Sequence, residues 1–267
     1  MPANGIPLTA PLVIGYDGSD GAAKAIAAAG RLIAPRPALV VTAIEESGTT
    51  DDEAERLAAE GAQLALTAGL PAQPLAGAKV DKPVWTIITA AEDFGAAGIV
   101  AGARGRSGLG AALLGSVSTG LVHYSPVPVL VVPSQTPPDP IGPALICHDG
   151  SDNSARAIRT AAPLLAGKEA LVLHITTAEY LDEVAAAPSR EIADAGTALA
   201  AEAGFDARPL YKSCDGPVWN GVLAAAAAYG ASVIVLGTRG LTGLPALLGS
   251  TSQGVLHHAE RALLVVP

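Results

Sequence analysis

Aromatic side chains are scarce in this chain: two Trp, five Tyr and two Phe occur among 267 residues. Half of the residues are nevertheless apolar, so a core must be packed from Ala, Val, Leu and Ile. Basic residues are also few, 16 Lys and Arg against 25 Asp and Glu, and the net charge is −9. That balance argues against nucleic acid as a partner, which calls for a basic face. No run approaches the roughly 18 apolar residues that a membrane span needs. The first residues, M-P-A-N-G-I-P-L-T-A, lack the basic start and long apolar run of a secretory signal. Cysteine is limited to Cys147 and Cys214 in no metal-ligand spacing, and a reducing cytoplasm is the expected compartment. There is no Gly-x4-Gly-Lys-Ser/Thr loop, so the usual lysine of an efficient nucleotide hydrolase is missing. No Ser-His-Asp arrangement can be assigned. None of the five histidines pairs with Cys or an acid at ligand spacing, so no catalytic residue and no metal ligand is named.

What is present comes twice. Ile99 to Thr119 reads I-V-A-G-A-R-G-R-S-G-L-G-A-A-L-L-G-S-V-S-T, and Val233 to Ser252 reads V-I-V-L-G-T-R-G-L-T-G-L-P-A-L-L-G-S-T-S. Gly102, Gly105, Gly115, Ser116 and Ser118 match Gly237, Gly240, Gly249, Ser250 and Ser252. Glycines let backbone N–H groups approach an anion with no Cβ in the way. A helix starting near Gly115 aims its unpaired N–H groups and positive dipole end at the same place. The serines add hydroxyls, and Arg104, Arg106 and Arg239 add charge. Each arginine of the matched pair, Arg104 and Arg239, has two readings, reaching phosphate or pointing to solvent. Arg106 has Leu241 in its place in the second copy.

The repetition extends over the chain. G-Y-D-G-S-D (Gly15 to Asp20) matches C-H-D-G-S-D (Cys147 to Asp152), D-K-P-V-W (Asp81 to Trp85) matches D-G-P-V-W (Asp215 to Trp219), and V-L-V-V-P (Val129 to Pro133) matches L-L-V-V-P (Leu263 to Pro267). A proline-rich linker, Pro133 to Pro143, separates residues 1–136 from 137–267 as two domains. Each copy reads β-α-β-α-β-α-β-α-β, with Ser19 as a helix N-cap and helical apolar spacing behind it. Apolar strands alternating with helices give a parallel sheet covered on both faces. Ligands then bind beyond the C-terminal strand ends, where Asp17, Ala43 and Gly102 sit, as do Asp149, Ile175 and Gly237. Asp17 and Asp149 stand in D-G-S turns. Each is either a local turn former or an acceptor for a ribose hydroxyl or an adenine amino group. His174 reads as a core or sheet histidine, Cys147 as a buried small residue, and Trp85 and Trp219 as packing anchors.

These motifs resemble the universal stress protein family, over essentially the whole chain outside the linker and the first ten or so residues. The nucleotide-binding branch of that family carries Gly-x2-Gly-x9-Gly-Ser/Thr, which Gly102, Gly105, Gly115 and Ser116 meet. The resemblance implies ATP binding. Gly102, Gly105, Gly115, Ser116, Val117 and Ser118 would cradle phosphates and ribose, Asp17 would hold the nucleoside, and Ala43 would lie beside the adenine. Mg2+ would accompany the phosphates, because the protein supplies few positive charges. The second copy, with Gly237, Arg239, Gly240, Gly249, Ser250, Thr251, Ser252, Asp149 and Ile175, has eight residues rather than nine between Gly240 and Gly249. ATP is expected there too. The implied fold is two tandem open five-stranded parallel α/β sheets of the Rossmann-like, universal stress protein type. Their last strands pair to make a covalent pseudo-dimer, and a further homodimer of chains is expected. The function expected is an ATP-dependent stress-response switch or sensor read by a protein partner, with slow hydrolysis at most. A scaffold that binds no nucleotide and a nucleotidyl-transfer enzyme are the alternatives.

Overall fold

The computed structural model describes residues 9–44, 50–79, 82–105, 114–139, 141–167, 169–177, 183–238 and 249–267. The first repeat runs β1 (Leu12–Gly15), α1 (Asp20–Leu32), β2 (Ala38–Ile44), α2 (Asp51–Thr67), β3 (Ala72–Lys79), α3 (Pro83–Asp93), β4 (Gly98–Gly102), α4 (Ser116–Tyr124), β5 (Val129–Val132). The second runs β6 (Ala144–Cys147), α5 (Asp152–Ala161), β7 (Glu169–Thr177), α6 (Glu183–Glu202), β8 (Asp206–Cys214), α7 (Val218–Ala228), β9 (Val233–Gly237), α8 (Ser250–His258), β10 (Ala262–Val266). The alternation read from the sequence is the one observed.

Helix starts follow their caps. Ser19 Oγ accepts from Ala22 N at 3.2 Å, Thr50 Oγ1 from Glu53 N and Ser151 Oγ from Ser154 N, each satisfying an orphan donor of the first turn. The central strands are apolar on both faces, as in L-V-I-G, V-L-V-V and A-L-L-V-V, and they are buried throughout. Helices α1, α2, α5 and α6 pack on one face and α3, α4, α7 and α8 on the other. The edges behave differently. Strands β3 and β8 carry Pro74 and Pro209, which pair with Val40 and Val172 only on their inner side. A proline is tolerated there because no second neighbour needs its missing N–H.

The two five-stranded halves fuse into one sheet of order β3-β2-β1-β4-β5-β10-β9-β6-β7-β8. All pairs are parallel except β5 with β10, where Leu130 faces Leu264. These two leucines are equivalent positions of the repeat, so the pseudo-twofold axis passes between them. A second seam obeys the same symmetry. Ile33 bridges its own equivalent, Leu165, through Ala34 N to Leu164 O at 2.7 Å and Ala166 N to Leu32 O at 2.8 Å. Beside it, buried Arg36 donates to Pro163 O. Because the central pair is antiparallel, the C-terminal strand ends of the halves, and any sites there, open at opposite ends of the sheet.

Candidate functional site

Each half carries a cleft beyond the C-terminal ends of the paired strands β1 and β4, or β6 and β9, where the strand order reverses. The first is about 300 Å³. Its lining gathers Asp17, Ala43, Gly102, Arg104, Gly105, Gly115, Ser116, Val117 and Ser118, which were named for this site from the sequence. The chain turns outward after β1 because Asp17 Oδ1 accepts from Ser19 N (3.0 Å) and Ser19 Oγ (2.6 Å). The carboxylate is thus a local turn former, and it also faces the loop. A Cβ on Gly105 would run into Asp17 Oδ2, so the local-turn reading holds and the second carboxylate oxygen lies against the glycine loop.

The other wall is the start of α4. Gly115 is its N-cap and supplies no side-chain cap, so the N–H groups of the first turn await an outside acceptor. Gly115 N donates to Ala103 O at 2.8 Å, which pins the helix start against the end of β4. Gly102 is required by packing, because a Cβ there would lie 2.7 Å from Gly21 O and 2.8 Å from Gly21 C. Gly115 is different: its Cβ would find Ala103 O at 3.4 Å and open cleft beyond. Ser118 departs from its expected role as a hydroxyl donor to ligand. Its buried Oγ donates to Ala103 O (2.8 Å) and Gly115 O (3.0 Å), fastening the helix start. Ser116 stays exposed beside it. Arg104 is half-buried and lines both the cleft and a neighbouring groove formed with Leu256, His257 and Glu260 of the second repeat.

The second cleft, about 240 Å³, collects Asp149, Ile175, Gly237, Gly249, Ser250, Thr251 and Ser252. Arg239 and Gly240 lie outside the described residues, as do Arg106, Leu241 and Pro245. Asp149 repeats the turn, accepting from Ser151 N (3.0 Å) and Ser151 Oγ (2.6 Å). Burial pushes its carboxyl up, but hydrogen bonds from Ser151 and Ser154 outweigh burial and hold it below the usual range. Gly249 caps α8 as Gly115 caps α4, again without a side chain, and Ser252 Oγ donates to Gly237 O at 2.9 Å.

Some lining residues were not singled out for a site. Tyr16 lines the first cleft and its hydroxyl donates to Glu60 Oε1 at 2.6 Å; burial, then that bond, pushes its pKa up to about 12. In the second, Cys147, His148, Ser154 and His174 line the cleft. Of the two readings of His174, core or sheet, the sheet one holds: it is half-buried on β7 and its Nδ1 meets His148 O at 2.9 Å. His148 is buried, packed beside Gly196, with Nδ1 2.8 Å from Ser154 Oγ; burial lowers its pKa, and Asp149 opposes that. Burial, then Asp149, pushes the Cys147 thiol up to about 12. The in-register comparison of Gly15 with Cys147 and of Thr42 with His174 carried the signal for this wall. Trp85, near the start of α3, packs its ring against Tyr124 at 5.3 Å and is 45% exposed on its other side. Trp219 packs on Gly254 and stacks on His258 at 4.5 Å. Among the described residues no three His, Cys, Asp or Glu gather as a metal site, and no helix is long and apolar enough to cross a membrane.

Comparison with known proteins accords with this architecture. The chain is 32% identical over 181 residues to Universal stress protein Rv2005c of Mycobacterium tuberculosis, a match covering 62% of this chain and 60% of the relative. The same identity and coverage relate it to Universal stress protein Mb2028c of Mycobacterium bovis. The chain thus spans about three fifths of the length of the curated relatives it matches. In fold, it resembles the crystal structure of a universal stress protein from Archaeoglobus fulgidus, with a TM-score of 0.70 and 23% identity over 96% of this chain and 97% of that one. A putative universal stress protein from Pseudomonas aeruginosa gives 0.63 and 23% over 97% and 93%. The profile of the family described as "Universal stress protein family" matches residues 10–133 and again 141–267. The chain belongs to the universal stress protein family, as a tandem pair of its domains.

Proposed function

We propose that the first cleft binds an adenine nucleotide, ATP with Mg2+ on its phosphates, and that the protein acts as a nucleotide-dependent switch in a stress response. One observation carries this reading: α4 begins uncapped at Gly115, inside a cleft whose facing wall is the Asp17 carboxylate. Polyphosphate is an acceptor with many oxygens and matches the first-turn N–H groups of Ser116–Ser118. Arg104 is the cation at hand. Asp17 is an acceptor suited to ribose hydroxyls. Val41, Ala43 and Ile87 offer an apolar slot for the base. Adenine nucleotide also fits the Gly-x2-Gly-x9-Gly-Ser pattern of the family's nucleotide-binding branch, which this repeat meets.

A nucleotide held between Gly105 and Gly115 ties together the two ends of the segment between them. Occupancy then alters the surface that a protein partner reads. Limited proteolysis tests this step: Mg-ATP is expected to protect the segment between Arg104 and Leu114, and equal cleavage with and without it overturns the switch. Binding itself is tested by titrating the chain with Mg-ATP before and after Gly115→Leu. The variant is expected to keep its fold, since the new Cβ has room, and to lose the nucleotide. Unchanged binding would remove the first cleft from the account.

A further inference from the structure

The second cleft keeps the phosphate end of the first but not its base end. Position by position, Gly15 becomes Cys147, Val41 becomes Leu173, Thr42 becomes His174 and Ala43 becomes Ile175. All four changes add bulk. Two changes run the other way: Tyr16 is matched by the smaller His148, and Ile87 on α3 by Gly221 on α7. That space is already taken, because a Cβ on Gly221 would lie 2.8 Å from Ile175 Cδ1 and 3.1 Å from Cys214 Cβ. The wall is built from the strand side instead, by Cys147, Leu173, His174 and Ile175. Asp149, Gly237 and the uncapped α8 start at Gly249 remain.

His174 adds chemistry as well as bulk. Its Nδ1 sits 2.9 Å from the His148 carbonyl. A carbonyl only accepts, so Nδ1 carries the proton and the neutral ring keeps Nε2 as an acceptor. In the first repeat Thr42 does the same structural job with a small hydroxyl, donating to Tyr16 O at 2.8 Å. Histidine is therefore not needed to satisfy that carbonyl. It places an acceptor in the lining where the first cleft has none from a ring.

We propose that the second cleft is a nucleotide site for a single-ring base bearing an amino group, a cytidine nucleotide, with His174 Nε2 accepting from that amino group. This rests on reading the Gly-Ser helix start as a phosphate cradle. The bulkier strand-side lining of Cys147, Leu173, His174 and Ile175 disfavours the purines, and the acceptor disfavours uracil, which presents a carbonyl at the position where cytosine carries its amino group.

The full chain is titrated calorimetrically with Mg-CTP, Mg-UTP and Mg-ATP. The proteins are the wild type, His174→Thr, and the triple variant C147G/H174T/I175A. The wild type is expected to take one ATP, and one CTP even when ATP is saturating, with UTP weaker by about tenfold or more. His174→Thr keeps the carbonyl bonded as Thr42 does, so it is expected to weaken CTP by about tenfold and leave ATP at the first cleft unchanged. The triple variant, relined like the first cleft, is expected to take two ATP. Melting temperature and first-cleft ATP report that each variant is folded. Two ATP per wild-type chain, CTP no tighter than UTP, or CTP binding indifferent to His174→Thr would each overturn the proposal. CTP without ATP would defeat the adenine reading of the first cleft and leave this one standing; neither nucleotide would defeat both.

Discussion

Single residues decide what each cleft tolerates, and the glycines separate into two kinds. Gly115 has room for a side chain, whereas Gly102 has a backbone carbonyl where its Cβ would go. Gly115→Leu is therefore a binding variant. Gly102→Ala is a stability variant, expected to cost about 2–3 kcal/mol because backbone must shift; a urea midpoint unchanged within error would contradict the contact with Gly21. His148 is expected to make the second repeat acid-sensitive. Burial lowers the folded pKa of His148 below its unfolded value, so below about pH 6.5 the unfolded chain takes up a proton that the folded chain resists. Stability is then present above that pH and lost as pH falls through the window between the two values. His148→Tyr, the residue found at the equivalent Tyr16, is expected to flatten the decline in melting temperature between about pH 7 and 5; an unchanged slope would place the acid sensitivity elsewhere. The two thiols should differ as well. With its pKa pushed to about 12, Cys147 is expected to react with a thiol reagent at pH 8 far more slowly than Cys214. Equal rates would mean that the Cys147 thiol is open.

Elements were legible in the sequence because each is locally consistent. Every strand and helix was readable from apolar runs, Ser19-type caps and the duplication, and the β5–β10 pairing followed from the family resemblance. The rest depended on contacts between distant segments. Nothing local in His174 distinguishes a core position from a cleft wall; that depends on the His148 carbonyl, 26 residues away in sequence. Ser118 looked like a free hydroxyl until Ala103 O, 15 residues before it, was seen to take its proton. Trp85 is exposed because α3 presents it towards Tyr124 at the end of α4. The seam of Ile33 with Leu165 and of Arg36 with Pro163 was not foreseen at all, since it joins loops of different repeats. At the scale of elements, the prediction concerns the other seam. Leu264 is 1% exposed and faces Leu130. Leu264→Asp buries a charge on the pseudo-twofold axis and is expected to cost more than about 4 kcal/mol, read as loss of soluble, cooperatively unfolding chain. A loss under about 1 kcal/mol would mean that the halves do not depend on this strand pair.

The whole molecule is one ten-stranded sheet with two inequivalent clefts at opposite ends. One repeat lines its slot with Gly15, Thr42 and Ala43, and the other has Cys147, His174 and Ile175 at the equivalent positions. The β5–β10 pairing and the Ile33–Leu165 seam link the halves, so a ligand in one end is expected to stabilise both. At a free ligand concentration of about 100 times Kd, that stabilisation is about 2.7 kcal/mol. It is expected as an upward shift of a single calorimetric transition; two separate transitions, only one of which moves, would contradict a continuous unit. The most direct test of the central claim is isothermal titration of Mg-ATP into the wild type and Gly115→Leu, side by side with their melting temperatures. The account predicts binding in the wild type and a loss of about a hundredfold or more in the variant, with matching melting temperatures in the absence of nucleotide. No binding by the wild type, or equal binding by both proteins, would contradict it.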